Sequence, residues 1–383
     1  MLKFPVEVLS DSLENLLRDI RRNPTEPLSM PTRLDYGGAY GSAVHALQVI
    51  ASWSQGAMVQ RVLNLPGAYL ANQEIQNRFA STLPGMAGLY FSDMVKSADV
   101  EVSRYSSLKL VAPYVNAMQE RSLGRALRGA AIILCCFAGA RNEYLNALYE
   151  KPMPKGVREV SDFRVLISQM LGQFGDRVVN SVGQLQLDYL SGLIYQLFLN
   201  ADEHGSYDIS GNRYETAMRG LAVRHTIVDK NGVYGADNPL QAYLTKLLLT
   251  EDVSSREQDG KVHLIEISVF DTGPGLGLRW LAAKKGAQSY QDISLKEEEE
   301  AVQTCFEKHA STKASQLMGQ GLSQALWAMK KLDAFMSLRT GRLSLYQDLT
   351  RKETAEFRPV QRYPNQSMPP IAGTGYTIYF RVK

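Results

Sequence analysis

Val269-Phe270-Asp271-Thr272-Gly273-Pro274-Gly275-Leu276-Gly277 is the stretch on which the reading of this chain turns. An apolar run with strand character ends in a carboxylate. Glycines follow that let the backbone turn tightly and approach a ligand. An aspartate so placed can accept a hydrogen bond from the exocyclic amine of adenine. A strand that closes in an ordinary Asp-Gly type of turn accounts for the same glycines, so the flanking segments have to decide.

Upstream lies Gln196-Leu197-Phe198-Leu199-Asn200-Ala201-Asp202-Glu203-His204-Gly205. On a helix, Gln196, Asn200 and His204 fall one turn apart on one face, while Leu193 and Leu197 pack inward. The Asn200 carbonyl can donate an oxygen to Mg²⁺, which shares oxygen ligands with substrate phosphates; a polar stripe facing water is the plainer alternative. Downstream, Ser311-Thr312-Lys313 precedes Gly319-Gln320-Gly321-Leu322-Ser323-Gln324-Ala325. Glycines that open a helix present free N–H groups, and the helix dipole favours phosphate there. Lys313 adds a point charge for a terminal phosphate. Last comes Gly373-Thr374-Gly375-Tyr376-Thr377-Ile378-Tyr379-Phe380, a glycine-led strand whose Thr374 hydroxyl can reach an adenine edge.

Each segment alone is a weak signal. In this order, they resemble the N-box, first glycine box, lid with second glycine box, and terminal Gly-Thr strand of the GHKL ATPases (Bergerat fold), closest to the histidine-kinase branch. The resemblance covers roughly residues 160–383. It implies that Asn200 ligates Mg²⁺ and that Asp271 reads adenine in a pocket shaped by Gly273 and Gly275. It further implies that Gly319, Gly321 and Leu322 form the phosphate-cradling second glycine box, that Lys313 closes over the phosphates, and that Thr374 supports the base. The cofactors implied are ATP and Mg²⁺.

The chain departs from the family at two points. Hydrolytic members carry a general-base Glu four residues before the magnesium Asn, where this sequence has Gln196. An amide cannot take a proton at neutral pH, and general-base catalysis contributes about 10²–10⁴-fold. Gln196 can still orient a water, as glutamines do in some GTPases, and Glu203 is the nearby carboxylate that could substitute. ATP binding is therefore better supported than efficient turnover. Histidine kinases also need a phosphoacceptor helix ahead of the ATPase domain. His45 stands alone on its helix, without the neighbouring acidic and basic residues of such an element.

Outside these motifs the sequence reads blandly. Its 383 residues suit two domains, and 45% apolar with 21% charged residues is ordinary for a folded chain. A net charge of +3 does not indicate a nucleic-acid partner; Arg121, Arg125 and Arg128 have the spacing of a solvated helix face. Cys135, Cys136 and Cys305 offer no CxxC pairing for zinc or disulfides and read as buried thiols. No signal-peptide core is evident, and Ala130 to Ala140 is far shorter than the ~20 residues of a spanning helix, so a cytoplasmic protein without a membrane partner is expected.

The expected fold class is α+β: a two-layer sandwich in the C-terminal half, a mixed sheet covered by helices, with a separate mostly helical or α/β N-terminal domain. Helices are expected at residues 7–22, at 45–53 after the glycine-rich turn from Tyr36 to Gly41, and from Val115 to Tyr149 with an interruption near Gly139. Lys151-Pro152-Met153-Pro154-Lys155-Gly156 marks a linker, dividing the chain into 1–150, 151–159 and 160–383. Phe163–Phe174, Val182–His204 and Gly321–Leu332 read as helices. Leu221–Val228, Val262–Phe270, Phe335–Arg339, Leu343–Tyr346 and Tyr376–Val382 read as strands. Glu297 to Glu300 reads as a solvated acidic face or lid surface.

The functional expectation is a Mg·ATP-dependent conformational switch whose lid, residues 285–320, orders around the nucleotide, with slow hydrolysis resetting it. The rivals are a protein kinase that phosphorylates a separate partner, and a regulatory module that holds nucleotide without chemistry. The N-terminal region is expected to sense a ligand, bind a protein partner or form a homodimer.

Overall fold

The computed structural model describes the chain apart from residues 37–39, 57–59, 99, 129–130, 151–155, 230–235, 250–260, 308–320, 351–354, 365 and 383. Among the described residues it is a mixed α/β structure with two sheets. In the first, β1 (Leu2–Lys3), β2 (Leu28–Ser29), β3 (Val62–Leu65) and β4 (Met94–Ser97) run parallel in sequence order. The short β5 (Val100–Ser103) adds antiparallel to β4. The crossovers are α1 (Ser10–Arg22), α2 (Ser42–Gly56), and together α3 (Ala68–Ala71), α4 (Gln73–Ala80) and α5 (Leu83–Phe91). Helix α1 buries Leu13, Leu16, Leu17 and Ile20 at the spacing of one helix face. Helix α2 is buried at Ser42 and at every position from Val44 to Ser54. A helix buried all round lies between layers, and α2 packs on α1 and α5 on one side and on the second sheet on the other.

Helices α6 (Arg104–Gln119) and α7 (Leu123–Ala126) lead to that second sheet. Its strands are β6 (Leu127–Arg128), β7 (Ala131–Phe137), β8 (Met218–Asp229), β9 (Lys261–Asp271), β10 (Phe335–Gly341), β11 (Leu343–Asp348), β12 (Val360–Gln361) and β13 (Ile371–Arg381). Their order is β12-β11-β10-β13-β9-β8-β7-β6, and every pairing is antiparallel. Between β7 and β8 come α8 (Val160–Gly172), α9 (Asp176–Ser181) and α10 (Gln184–His204); α11 (Asn238–Leu249) precedes β9. After β9 come α12 (Leu276–Lys285), α13 (Leu295–Cys305) and α14 (Gly321–Lys331). Helix α10 packs on β8 and β9, flanked by α8 and α14, whereas α2 contacts β13 and β9. Strand alternation separates the two coverings: a Cβ on Gly375 would meet Val44 and Gln48 of α2, whereas Asp271 lies against the end of α10.

Several expectations need correction. No helix runs from Val115 to Tyr149: α6 stops at Gln119, Arg121 takes φ +55°, and Ala131–Phe137 is a strand. A short apolar run buried on both faces carries no period that separates strand from helix; Ile132 through Phe137 are all buried. Strand β7 pairs with β8 along its whole length, so the large sheet draws strands from either side of residue 150. Arg121, Arg125 and Arg128 do not share a helix face, because they lie in a turn, in α7 and in β6. The sheet is antiparallel rather than mixed. The acidic run is not wholly solvated either: Glu298 is fully buried and pairs with Arg342, Nε to Oε2 at 2.6 Å.

A buried ion pair ties α1 to the large sheet. Arg339 on β10 donates from Nε to Glu14 Oε1 at 2.6 Å and from Nη2 to Oε2 at 3.1 Å. His45 Nε2 lies 3.1 Å from the same carboxylate. Burial pushes the Glu14 carboxyl up, but Arg339 and His45 outweigh it and hold it well below the usual range. Among the described residues, no helix is long and apolar enough to cross a membrane.

Candidate functional site

Helix α10 ends on the Asp271 turn because glycines remove the side chains that would keep them apart. Gly205 closes the helix, its N–H donating to Ala201 O at 2.8 Å. A Cβ on Gly205 would lie 2.6 Å from the Asp271 Cβ, and one on Gly273 would lie 2.5 Å from His204 O. Asn200 sits five residues before Gly205, about 7 Å along the axis, and is half-buried.

A charge cluster fixes this end of the helix. Asp202 accepts from Arg219 Nε at 2.8 Å and from the Tyr149 hydroxyl at 2.5 Å. Arg219, 2% exposed, also donates to Glu143 at 3.1 Å and to Ser206 at 3.0 Å. It stands directly opposite Asp271 in the β8–β9 register. Satisfying this guanidinium with two carboxylates avoids the cost of an unpaired buried charge.

Asp271 is 4% exposed. Burial pushes its carboxyl up to about 7, against the pull of backbone N–H donors from Gly273 and Thr374; the Gly273 bond is 2.8 Å. Gly275 takes φ +87°, and a Cβ there would meet the Tyr290 hydroxyl at 2.7 Å and Thr340 Oγ1 at 3.2 Å. Internal packing therefore requires these glycines in its own right. The Thr374 hydroxyl lies 3.1 Å from that of Thr340, which accepts from Leu276 N at 2.8 Å at the head of α12.

At its other end, the polar stripe of α10 meets α14. Gln196 Nε2 donates to Gln324 Oε1 at 2.9 Å, and a Cβ on Gly321 would lie 2.8 Å from Gln196 Oε1. Leu322 is buried in the core, which leaves its backbone rather than its side chain for ligand contact. Glu203 is two turns beyond Gln196, about 10 Å along the axis, so it belongs to the Asp271 end and not to the α14 end. Ser311, Thr312, Lys313, Gly319 and Gln320 lie outside the described residues, as does most of the second half of the expected lid.

The structure thus brings Gln196, Asn200, Asp271, Gly273, Gly275, Gly321 and Thr374 to the α10 side of one sheet. Sequence reasoning missed Thr340, Arg219, Asp202 and Gln324. Their partners are distant in the chain, and no local spacing marks them. His45 is turned inward onto Glu14, 9% exposed, which removes it as a surface phosphoacceptor. A cavity of about 560 Å³ adjoins α14, lined by Gln303, Phe306, Ser323, Trp327 and Phe357 among others. The rings of Phe306 and Phe357 stack there at 3.8 Å. Its lining includes neither Asn200 nor Asp271. Comparison of the chain with protein-family models, with curated proteins and with solved structures finds no match.

Proposed function

We propose that the chain binds Mg·ATP on the α10 face of the large sheet, in a Bergerat-type sandwich formed by β8–β10, β13 and the helices α8, α10 and α14. One observation carries the reading: the end of α10 abuts the Asp271 turn while its preceding turns abut the glycine-led start of α14. Asn200 lies between these two contacts. Its amide has no hydrogen-bond partner among the described residues, and a neutral oxygen donor beside a phosphate site suits Mg²⁺, which takes its remaining ligands from phosphate and water. Asp271 offers a buried acceptor for an amine donor, and the first turn of α14 offers N–H groups and dipole for phosphate. Bound magnesium would neutralise phosphate charge.

Gln196, where a general base would be needed, favours nucleotide-controlled switching over rapid turnover. In that reading γ-phosphate contacts bias one conformation over another through differential affinity, and slow hydrolysis releases it. The same residue keeps a non-catalytic nucleotide-holding module as the second reading; phosphate transfer to a separate protein is the third. Calorimetric titration with a non-hydrolysable ATP analogue and Mg²⁺ tests the site, and no heat with an intact fold refutes it. Phosphate release compared with Asn200→Ala separates hydrolysis from passive holding. Radiolabel transfer into added proteins tests the kinase reading.

A further inference from the structure

The antiparallel ladder between β10 and β13 is interrupted beside the site. Thr340 pairs with Thr374, but the next residue, Gly341, pairs with Ile371, leaving Ala372 and Gly373 as a bulge. Bulged residues lose ladder hydrogen bonds, and buried backbone groups must find others. Here they find them in two places. Gly373 N donates to Gly273 O at 2.6 Å, which joins the bulge to the Asp271 turn. Ala372 N donates to Ser52 Oγ at 2.8 Å, and Ala372 O accepts from Gln48 Nε2 at 3.2 Å. Gln48 also reaches Arg339 O at 3.1 Å, and Gln55 Nε2 donates to Thr272 O at 2.6 Å. Residues 48, 52 and 55 have the spacing of one helix face. Gln48 and Ser52 are 0% and 1% exposed, although the rest of the buried face of α2 is mostly apolar.

We propose that Ser52 and Gln48 are positioning residues: from a helix of the N-terminal layer they clamp the β13 bulge, and through it hold Thr374 and Asp271 in the geometry that takes the nucleotide. A displacement of α2 in the N-terminal layer then changes the site without touching a ligand, and nucleotide binding acts back on α2 by the same free energy. The clamp explains the placement of two buried polar side chains on a helix facing a sheet. Its nucleotide consequence rests on the Mg·ATP reading above.

The test pairs two readouts on the full chain. Amide hydrogen exchange over residues 268–276 and 370–376 reports the clamp without any nucleotide. Titration with the non-hydrolysable ATP analogue and Mg²⁺ reports the site. Ser52→Ala leaves the Ala372 N–H without its acceptor, so exchange there is expected to accelerate about tenfold or more, with affinity about tenfold weaker. Ser52→Thr, which keeps the hydroxyl, is expected to restore both. Leu63→Ala, a core truncation in β3, serves as a control for general destabilisation and is expected to leave the affinity unchanged. Exchange in Ser52→Ala equal to wild type overturns the clamp whatever the nucleotide does. Equal loss of affinity in Leu63→Ala and Ser52→Ala overturns the coupling. No binding by the wild-type chain, with exchange accelerated in Ser52→Ala, defeats the Mg·ATP reading and with it the coupling, while the clamp itself stands.

Discussion

The Cβ of Asp271 lies 2.6 Å from the place where a side chain on Gly205 would begin. This contact sets the end of α10 on the turn after β9, and the rest of the candidate site is arranged around it. Gly205→Ala should therefore cost about 1–3 kcal/mol through overpacking. Gly192→Ala, in the same helix but with open space around it, should instead stabilise by up to about 1 kcal/mol. Urea unfolding of both variants checks the contrast. Similar midpoints for the two would show that α10 does not abut the turn.

Two buried carboxyls make stability fall as pH rises. Burial pushes Asp271 and Glu266 each up to about 7, from ordinary values of 3.8 and 4.5. A raised folded-state pKa means that the folded chain holds protons the unfolded chain has released. That contribution is full below about 4 and is lost as pH rises through about 7. Asp271→Asn should thus be more stable than wild type at pH 8, by on the order of 1–3 kcal/mol, with the gain shrinking towards pH 4. Melting curves across pH 4–8 measure it, and a gain independent of pH would contradict the buried carboxyl.

At pH 8, above the raised pKa, where Asp271 is mostly ionised, the same substitution should weaken binding of the Mg·ATP analogue by roughly 10–100-fold, because a charge-assisted acceptor becomes a neutral one. A variant more stable yet weaker in binding is the signature of a group kept for function at a cost in stability. Affinity unchanged in Asp271→Asn would remove Asp271 from base recognition.

Gln196→Glu places a carboxylate on α10 one turn before Asn200 and beside α14. If Gln196 limits turnover, phosphate release should rise by about 10–100-fold, within the range general-base catalysis supplies. Gln324, whose Oε1 now accepts from Gln196, can reverse its amide to donate to the new carboxylate. A steady-state phosphate assay decides; a rate at or below wild type would count against a missing base as the bottleneck.

Glu14 and Arg339 should behave as a pair. Removing Arg339 leaves the buried Glu14 carboxylate with His45 alone, so Arg339→Met is expected to destabilise by about 3–5 kcal/mol. Glu14→Gln together with Arg339→Met should recover much of the loss, since replacing a buried ion pair with uncharged groups is often close to neutral. A double-mutant cycle by chemical denaturation measures the coupling, and additive losses would mean that the two do not interact.

The sequence by itself determined the elements with clear periodicity. Leu13, Leu16, Leu17 and Ile20 mark α1, the apolar spacing around Leu193 and Leu197 marks α10, and the runs Val262–Phe270 and Tyr376–Val382 mark strands. It also offered Asn200, Asp271, Gly321 and Thr374 as candidates, through the order of four short motifs, each of which is a weak signal alone. Ala131–Phe137 defeated it: an apolar run buried on both faces has no period, and only pairing with β8 makes it a strand. The buried network of Arg219, Asp202 and Glu143, the Thr340–Thr374 contact and the α2 clamp on Ala372 were decided by tertiary structure alone. Hydrogen bonds and ion pairs between residues tens to hundreds of positions apart leave no spacing to read, since the chain brings them together only when its layers close.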